Sequence, residues 1–116
     1  DEQRALLRSL PNLFAKWGLT DEQSSALLGV TSESWERIRM GGHDEHLTGD
    51  QAQRAGTLVG IHAALRTIFT GPRCYDWIQR PNEDPLFSGQ SALAFMIGGG
   101  LPAIQRVREF LQSEAG

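Results

Sequence analysis

The 116-residue sequence predicts an all-α fold, and three observations favour this fold class. Apolar residues recur three and four positions apart along most of the chain, which places them on one face of a helix. Thr20, Thr31 and Thr48 stand where helix caps are needed, and glycines or prolines follow the segments that they begin. No segment shows the alternation of apolar and polar residues that is typical of a half-buried strand.

The first segment carries an apolar stripe that ends near Gly18, but Pro11 interrupts it. A proline lacks a backbone N–H and clashes with the preceding turn, so we expect the helix to kink or restart there. Ser9 is the residue expected to cap the restarted helix. The stripe consists of Leu6, Leu7, Leu10, Leu13, Phe14 and Trp17.

Two short helices follow, separated by a tight turn. Thr20 and Gln23 have the reciprocal spacing of a capping box, which predicts a helix over about residues 21–28. Thr31 is expected to cap the next helix, which the following pair of glycines should end.

A long helix is predicted after Thr48, because Thr48 and Gln51 repeat the capping-box spacing. We expect this helix to be the spine of the molecule. His62 falls on its apolar stripe without a neighbouring nucleophile or carboxylate, which indicates a core or interface histidine. The stripe consists of Ala55, Leu58, Val59, His62, Leu65, Ile68 and Phe69.

The last third of the chain is divided by prolines and glycines. Pro72 is suited to the start of a fifth helix, which Pro81 stops. Ser91 is expected to cap residues 92–97, which are apolar on every side and therefore need cover on more than one face. Residues 98–100 are three glycines that should stop this helix. The packed stripe of the final helix is Ile104, Val107 and Leu111.

The composition is that of a soluble globular protein, with 40% apolar and 22% charged residues. No apolar run approaches the roughly 20 residues that a membrane span needs. The single Cys74 cannot form an internal disulfide, which fits a reducing compartment, so we expect a cytoplasmic protein. The chain begins with Asp1, from which we expect the natural chain to be longer.

Two loops resemble ligand sites but lack the residues that such sites need. His43 and His46 flank Asp44 and Glu45, yet zinc demands further spaced ligands, so a solvated turn is expected. The three glycines at residues 98–100 do not form a phosphate loop, because such a loop follows a strand and is itself followed by a lysine. Neither feature is present in the required order. The sequence therefore predicts no catalytic residues, no metal and no cofactor.

The two short helices and their Gly29-Val30 turn match a helix-turn-helix, whose second helix enters the DNA major groove. Trp35 and Ile38 must then face the core, which leaves the polar residues of that helix to contact DNA. Arginine pairs well with guanine, and glutamate accepts a hydrogen bond from cytosine. The candidate DNA-binding residues are Ser32, Glu33, Ser34, Arg37 and Arg39.

The alternative is a helical hairpin that serves only the core. Asp21, Glu33 and Glu36 favour this alternative, because carboxylates near an exposed face repel the DNA backbone. The net charge of −3 likewise argues against a dedicated nonspecific nucleic-acid binder, so any DNA contact must come from a local patch.

Phe110 is apolar but lies about 100° from the stripe of the last helix, on the 3.6-residue geometry of an α-helix. Polar residues one turn before and after it complete a mixed patch of the kind that protein partners contact. The alternative is that Phe110 only covers the edge of the core. The candidate partner-binding residues are Arg106, Glu109, Phe110, Ser113 and Glu114.

Two groups of residues, one in each half, carry a family resemblance. The first is the run from Trp17 to Thr20 together with that from Ala26 to Val30. The second comprises Arg80, Pro81, Asn82, Pro85, Leu86, Phe87, Gly89, Ser91, Ala92, Leu93, Met96, Gly98, Gly99, Val107, Arg108, Phe110 and Leu111. This second order of residues is hard to obtain by chance. With both groups, the chain resembles the Xre/MbcA/ParS-type antitoxins of RES-Xre type II toxin-antitoxin systems.

The resemblance implies a bacterial antitoxin rather than an enzyme. Residues 1–47 would form a Cro-like helix-turn-helix, and residues 48–116 a small helical domain for toxin binding and oligomerisation. The antitoxin would neutralise a RES-domain toxin, which depletes NAD, and would repress its own operon by binding operator DNA. The resemblance makes that toxin the partner of the patch around Phe110, and we expect a homodimer or a larger assembly with it.

The predicted reading helix differs from that of many relatives, because Ser32, Glu33 and Glu36 replace more basic residues. This difference argues against strong DNA affinity of the protein on its own. The alternative function is a stand-alone helix-turn-helix regulator with a helical oligomerisation domain. The gene beside this one separates the two, since an antitoxin gene normally lies next to that of its toxin.

Overall fold

Six α-helices account for most of the chain in the computed structural model, which describes residues 2–42 and 45–115. They are α1 (Glu2–Lys16), α2 (Asp21–Leu28), α3 (Ser32–Arg39), α4 (Gly49–Ile68), α5 (Arg73–Asp76) and α6 (Ala92–Ala115). A 3-10 turn, Trp77–Gln79, follows α5, and an isolated antiparallel bridge joins Pro81 to Ser91. The described ranges contain no strand, and the predicted all-α fold is confirmed.

The helices begin where the sequence places caps. The Thr20 hydroxyl accepts a hydrogen bond from the Gln23 N–H at 3.0 Å, and the Gln23 side chain accepts one from the Thr20 N–H at 3.0 Å. Thr48 and Gln51 make the same reciprocal pair at the start of α4. Thr31 accepts from the backbone of the first turn of α3. These side chains satisfy backbone donors that have no partner within the helix, and the three predicted caps are confirmed.

The predicted restart at Pro11 is wrong, because α1 continues through it to Lys16, and the alternative of a kink within one helix stays a prediction. The Ser9 hydroxyl caps nothing and instead donates to the Leu6 carbonyl at 3.0 Å. Proline costs the helix about 3 kcal/mol, whereas burying a large apolar side chain contributes roughly 1.5–3 kcal/mol. Four side chains on both sides of the proline are buried on one face, which favours a single helix. They are Leu7, Leu10, Leu13 and Phe14.

The helical backbone of α6 breaks at the third of its three consecutive glycines rather than at the first. The backbone remains helical through Gly98 and Gly99 and breaks only at Gly100, with φ 69° and ψ −152°. Ser91 caps the start as predicted, since its hydroxyl accepts from the Ala94 N–H at 3.0 Å. The apolar turn that follows is covered in part within the chain: Ala92, Leu93 and Met96 are buried, while Phe95 and Ile97 are half-buried.

α4 is the spine of the fold. It packs against α1 and α2 from the first part of the chain and against α5 and α6 from the second. Four of its apolar side chains are fully buried in the single core, namely Ala55, Leu58, Ile61 and Leu65. The domain boundary predicted between residues 47 and 48 falls in the loop before α4. The assignment of residues 1–47 to DNA binding and of residues 48–116 to toxin binding and oligomerisation stays a prediction.

The Arg54 side chain joins the two parts of the chain at one point. Its Nε donates to Asp50 Oδ1 at 2.7 Å, and its Nη1 donates to the Leu27 carbonyl at 3.4 Å. A Cβ atom on Gly29 would lie 2.9 Å from Nη1, and one on Gly100 would lie 3.2 Å from Nη2. One guanidinium therefore fills the space between the turn after α2 and the kink of α6, and both neighbouring backbones have positive φ.

We expect Gly100→Ala to lower the free energy of unfolding by roughly 1–3 kcal/mol, because its backbone conformation is open almost only to glycine. The added methyl group would also press on Arg54. Urea unfolding followed by circular dichroism measures the change.

Gly98→Ala is the matched control, because Gly98 lies in regular helix with nothing within 4 Å of an added Cβ. Alanine should raise the stability there by about 0.4–1 kcal/mol. Equal effects of the two substitutions would contradict the role given to the kink.

Candidate nucleic-acid interface and partner surface

α3 is anchored by one face and exposed on the other. Trp35 and Ile38 are buried as predicted, and the Trp35 ring packs against Phe14 with centroids 5.4 Å apart. The Trp35 indole N–H donates to Asp21 Oδ1 at 3.1 Å, which ties α3 to the start of α2. The α2–turn–α3 unit thus has the geometry of a helix-turn-helix with its second helix turned outward.

The five candidate DNA-binding residues all lie on α3. Ser32, Glu33, Arg37 and Arg39 are exposed, and Ser34 is half-buried. Arg39 is drawn towards α2, where its Nε lies 3.5 Å from Asp21 Oδ1. An exposed ion pair of this kind contributes little to stability, so Arg39 is readily released to another acidic group. The contact of these side chains with DNA stays a prediction.

Glu45 is the residue of this surface that the sequence did not indicate. Its carboxylate accepts hydrogen bonds from Arg37 Nε at 3.0 Å, from Arg37 Nη2 at 2.8 Å and from the Ser34 hydroxyl at 2.7 Å. The predicted solvated turn gave Glu45 no such role, because eight positions separate it from Arg37 and no helix spacing relates the two. Of that turn, His43 and Asp44 lie outside the described residues, and His46 is exposed.

These hydrogen bonds fix the charge of the pair. The hydrogen bonds from Arg37, and then that from Ser34, lower the pKa of Glu45 from 4.5 to about 2. The hydrogen bond to Glu45 likewise raises the pKa of Arg37. Both groups are therefore ionised at neutral pH, and their bonds are of the stronger, charge-assisted kind.

An open groove of about 540 Å³ runs along the exposed face of α3 beside Arg37. Glu33 and Glu36 line it, so its charge is mixed rather than basic. Met40 stands at its end and is 75% exposed, the only large apolar side chain so exposed among residues 2–42 and 45–115. The side chains that line the groove are thus one guanidinium, two carboxylates and one apolar group.

The candidate partner-binding residues lie along the second half of α6. Arg106, Glu109, Ser113 and Glu114 are exposed, with Arg106 Nη1 3.7 Å from Glu109 Oε2. Phe110 is half-buried rather than free. The structure brings the five residues onto one side of α6, and their contact with a toxin stays a prediction.

Phe110 belongs to an aromatic cluster at the edge of the core. Its ring stacks on Trp77 with centroids 6.3 Å apart and meets Phe87 edge to face at 5.4 Å. Beside it lies an open pocket of about 230 Å³, lined also by Asn82 and Glu114. Asn82 Oδ1 accepts from the Asp84 N–H at 2.9 Å, which fixes the loop that carries Asn82.

His62 is a half-buried core histidine, as predicted. Its ring stacks on Tyr75 at 5.3 Å and meets Trp17 edge to face at 6.3 Å. Burial lowers the pKa of His62, and the positive charges of Arg66 and Lys16 lower it further. Within the described ranges, no group of three His, Cys, Asp or Glu residues is arranged to hold a metal ion.

The helix-turn-helix geometry agrees with comparisons to known proteins. The family of the antitoxin Xre-like helix-turn-helix domain matches residues 1–60, which hold α1, α2, α3 and the first part of α4. The chain belongs to this family. Its first half is accordingly a helix-turn-helix domain of the DNA-binding antitoxin type.

A second comparison extends beyond this Xre-like domain. The uncharacterized protein y4oB of Sinorhizobium fredii is 36% identical over 117 residues, which cover 97% of this chain and 85% of that protein. No solved structure matches the Xre-like chain. No helix among residues 2–42 and 45–115 is long and apolar enough to cross a membrane.

We expect the Glu45 carboxyl to titrate far below its ordinary range, with a pKa of about 2. Because the folded-state pKa is lowered, the pair stabilises the fold fully above pH 4.5 and loses this contribution as the pH falls towards 2. NMR of the side-chain carboxyl carbon measures the midpoint. Arg37→Ala should return the midpoint towards 4.5, and a wild-type midpoint already near 4.5 would contradict the pairing.

Proposed function

We propose that this Xre-like protein is the antitoxin of a RES-Xre type II system. It represses its own operon through α3 and neutralises a RES-domain toxin, an enzyme that depletes NAD, through its C-terminal helices. The observation that carries the proposal is the family match over a helix-turn-helix whose second helix has an exposed polar face. The antitoxin acts by binding and needs no cofactor.

DNA recognition follows from the placement of α3. The helix lies in the major groove, where Arg37 donates to guanine and Glu33 accepts from cytosine. Ser32 and Arg39 hold phosphates near the two ends of the helix, whereas the single O–H of Ser34 is donated to Glu45. The neighbouring acids weaken nonspecific attraction, so affinity depends on good base contacts and on two subunits reading two half-sites.

Toxin neutralisation is supported by the second half of the chain. Two parts of this half resemble the RES-Xre antitoxins. They are the loop closed by the Pro81–Ser91 bridge and the glycines before the kink of α6. Beyond the kink, the half-buried Phe110 and the exposed Arg106 offer an apolar anchor next to a set of hydrogen-bond donors. Aromatic residues and arginine are the types most enriched among residues that dominate interface energies.

We expect Arg37→Ala to weaken binding to the promoter region of the protein's own gene by roughly 1–3 kcal/mol, the discrimination that a good bidentate base contact supplies. Binding should also weaken with salt, because phosphate contacts release counterions. Fluorescence anisotropy with a promoter duplex and a shuffled duplex measures both effects.

Arg80→Ala is the matched control, because it removes the same charge from an exposed arginine in the other half of the chain. Its promoter affinity should stay close to that of the wild type. If Arg37→Ala binds as well as the wild type, α3 is not the reading helix; equal losses in the two variants would indicate a nonspecific charge effect.

We expect the double variant Arg106→Ala, Phe110→Ala to lose protection against the toxin, because truncating a dominant interface residue typically costs at least about 2 kcal/mol. Growth of cells that co-express the variant and the toxin encoded by the neighbouring gene is the measurement. Circular dichroism must show that the variant folds, since Phe110 also packs against Trp77 and Phe87.

Gln105→Ala with Gln112→Ala serves as the control, because both side chains are exposed and the helix period places each of them roughly 100–160° around α6 from Arg106 and Phe110. This variant should still protect the cells. Full protection by the folded Arg106, Phe110 variant would refute the assigned surface, and the absence of a toxin gene would favour the stand-alone regulator.

A further inference from the structure

We propose that Glu45 is a positioning residue for DNA recognition, which holds the guanidinium of Arg37 so that its outer edge reads one base pair. This inference rests on the proposed DNA binding by α3. It adds a residue outside the helix-turn-helix to the reading surface. Glu45 itself makes no base contact.

The hydrogen bonds of Arg37 use only one edge of the guanidinium. Nε and Nη2 donate side by side to the two oxygens of Glu45, at 3.0 and 2.8 Å. A guanidinium has five N–H donors in a fixed plane, so the end formed by Nη1 and Nη2 keeps a second parallel pair. That pair is the one needed for the O6 and N7 atoms of guanine.

The exposed fractions of the two side chains fit a contact of Arg37 with DNA and a supporting position for Glu45. Arg37 is 59% exposed, whereas Glu45 is 20% exposed. The arginine therefore reaches solvent from the outer face of α3, beside Met40 in the open groove. Its partner lies behind it and is the less accessible of the two.

Glu45 is itself held from three directions. Its carboxylate accepts from the Ser34 hydroxyl at 2.7 Å as well as from Arg37. Its backbone carbonyl accepts from the Gln3 side-chain amide at 3.1 Å, which fastens this part of the loop to α1. The low pKa of Glu45 keeps the carboxylate charged at any pH at which DNA is bound. Arg37 is thus restrained before it meets DNA.

Two opposing effects of Glu45 on DNA binding can be separated. Its negative charge repels phosphates and lowers affinity for every sequence. Its hydrogen bonds restrain a flexible arginine, so less side-chain entropy is lost when Arg37 binds DNA. The resulting gain in affinity is confined to sequences that carry the base that Arg37 contacts. Positioning therefore predicts that removal of the charge raises nonspecific affinity and lowers discrimination.

The test compares Glu45→Gln with the wild type on three duplexes. They are the footprinted site from the promoter of the protein's own gene, the same site with the Arg37-dependent G·C pair changed to A·T, and a shuffled sequence. The ratio of the affinities for the first two should fall roughly two- to twelvefold, as expected from about 0.5–1.5 kcal/mol of lost side-chain ordering. Affinity for the shuffled duplex should rise.

Glu36→Gln is the matched control, because Glu36 is an exposed acid of α3 that borders the same groove. It should raise affinity for all three duplexes and leave the ratio unchanged. In an Arg37→Ala background, Glu45→Gln should no longer change the ratio, because its effect passes through the arginine. Thermal unfolding by circular dichroism checks that the variants are folded.

Three results would overturn the inference. A higher ratio for Glu45→Gln would identify Glu45 as a competitor that DNA displaces from Arg37. An unchanged ratio, with Arg37→Ala still harmful, would leave DNA binding by α3 intact and remove Glu45 from it. A wild-type protein that does not distinguish the promoter from the shuffled duplex would refute both this inference and the proposed DNA binding.

Discussion

The burial of α4 between the two parts of the chain is the constraint on which the other features depend. α1 and α2 pack on it from one part, and α5 and α6 pack on it from the other. Its central apolar side chains, among them Leu58 and Ile61, are fully excluded from solvent. Burial of each such side chain contributes roughly 1.5–3 kcal/mol to the free energy of unfolding. The helix-turn-helix and the C-terminal helices are therefore stabilised by packing against the same helix. The placement of α3 and of the end of α6 both follow from it.

The surface electrostatics of α3 differ from those of a simple basic DNA-binding helix. Its exposed face combines Arg37 and Arg39 with Glu33 and Glu36, and the arginines already have carboxylate partners. A chain with a net charge of −3 does not attract DNA over long distances. Recognition by such a helix depends on the geometry of few contacts, which makes the orientation of a single guanidinium important.

Local features of the fold were predictable from the sequence, because their causes lie within a few residues. At the start of a helix, a threonine three positions before a glutamine satisfies backbone donors, and the capping boxes at Thr20 and Thr48 are where the spacing indicates. The stripe that buries Trp35 and Ile38 is equally local. The all-α fold and the helix-turn-helix follow from such signals.

Features that depend on distant contacts were not predictable in the same way. The helix continues through Pro11 because packing on both sides outweighs one lost hydrogen bond. The partnership of Glu45 with Arg37 arises from a loop that returns to α1, and no sequence spacing encodes it. Phe110 was expected off the core stripe, but its stacking on Trp77 depends on how the loop after α5 folds back.

The guanidinium of Arg54 has a consequence for dissecting the molecule. A fragment that ends at residue 47 would keep the turn at Gly29 but lose the side chain that packs against it from α4. It would also expose Leu27 and Leu28 to water, since both are fully buried in the shared core. A DNA-binding fragment taken from this chain therefore has to include the first turns of α4. A fusion protein joined before Thr48 would lack part of the hydrophobic core.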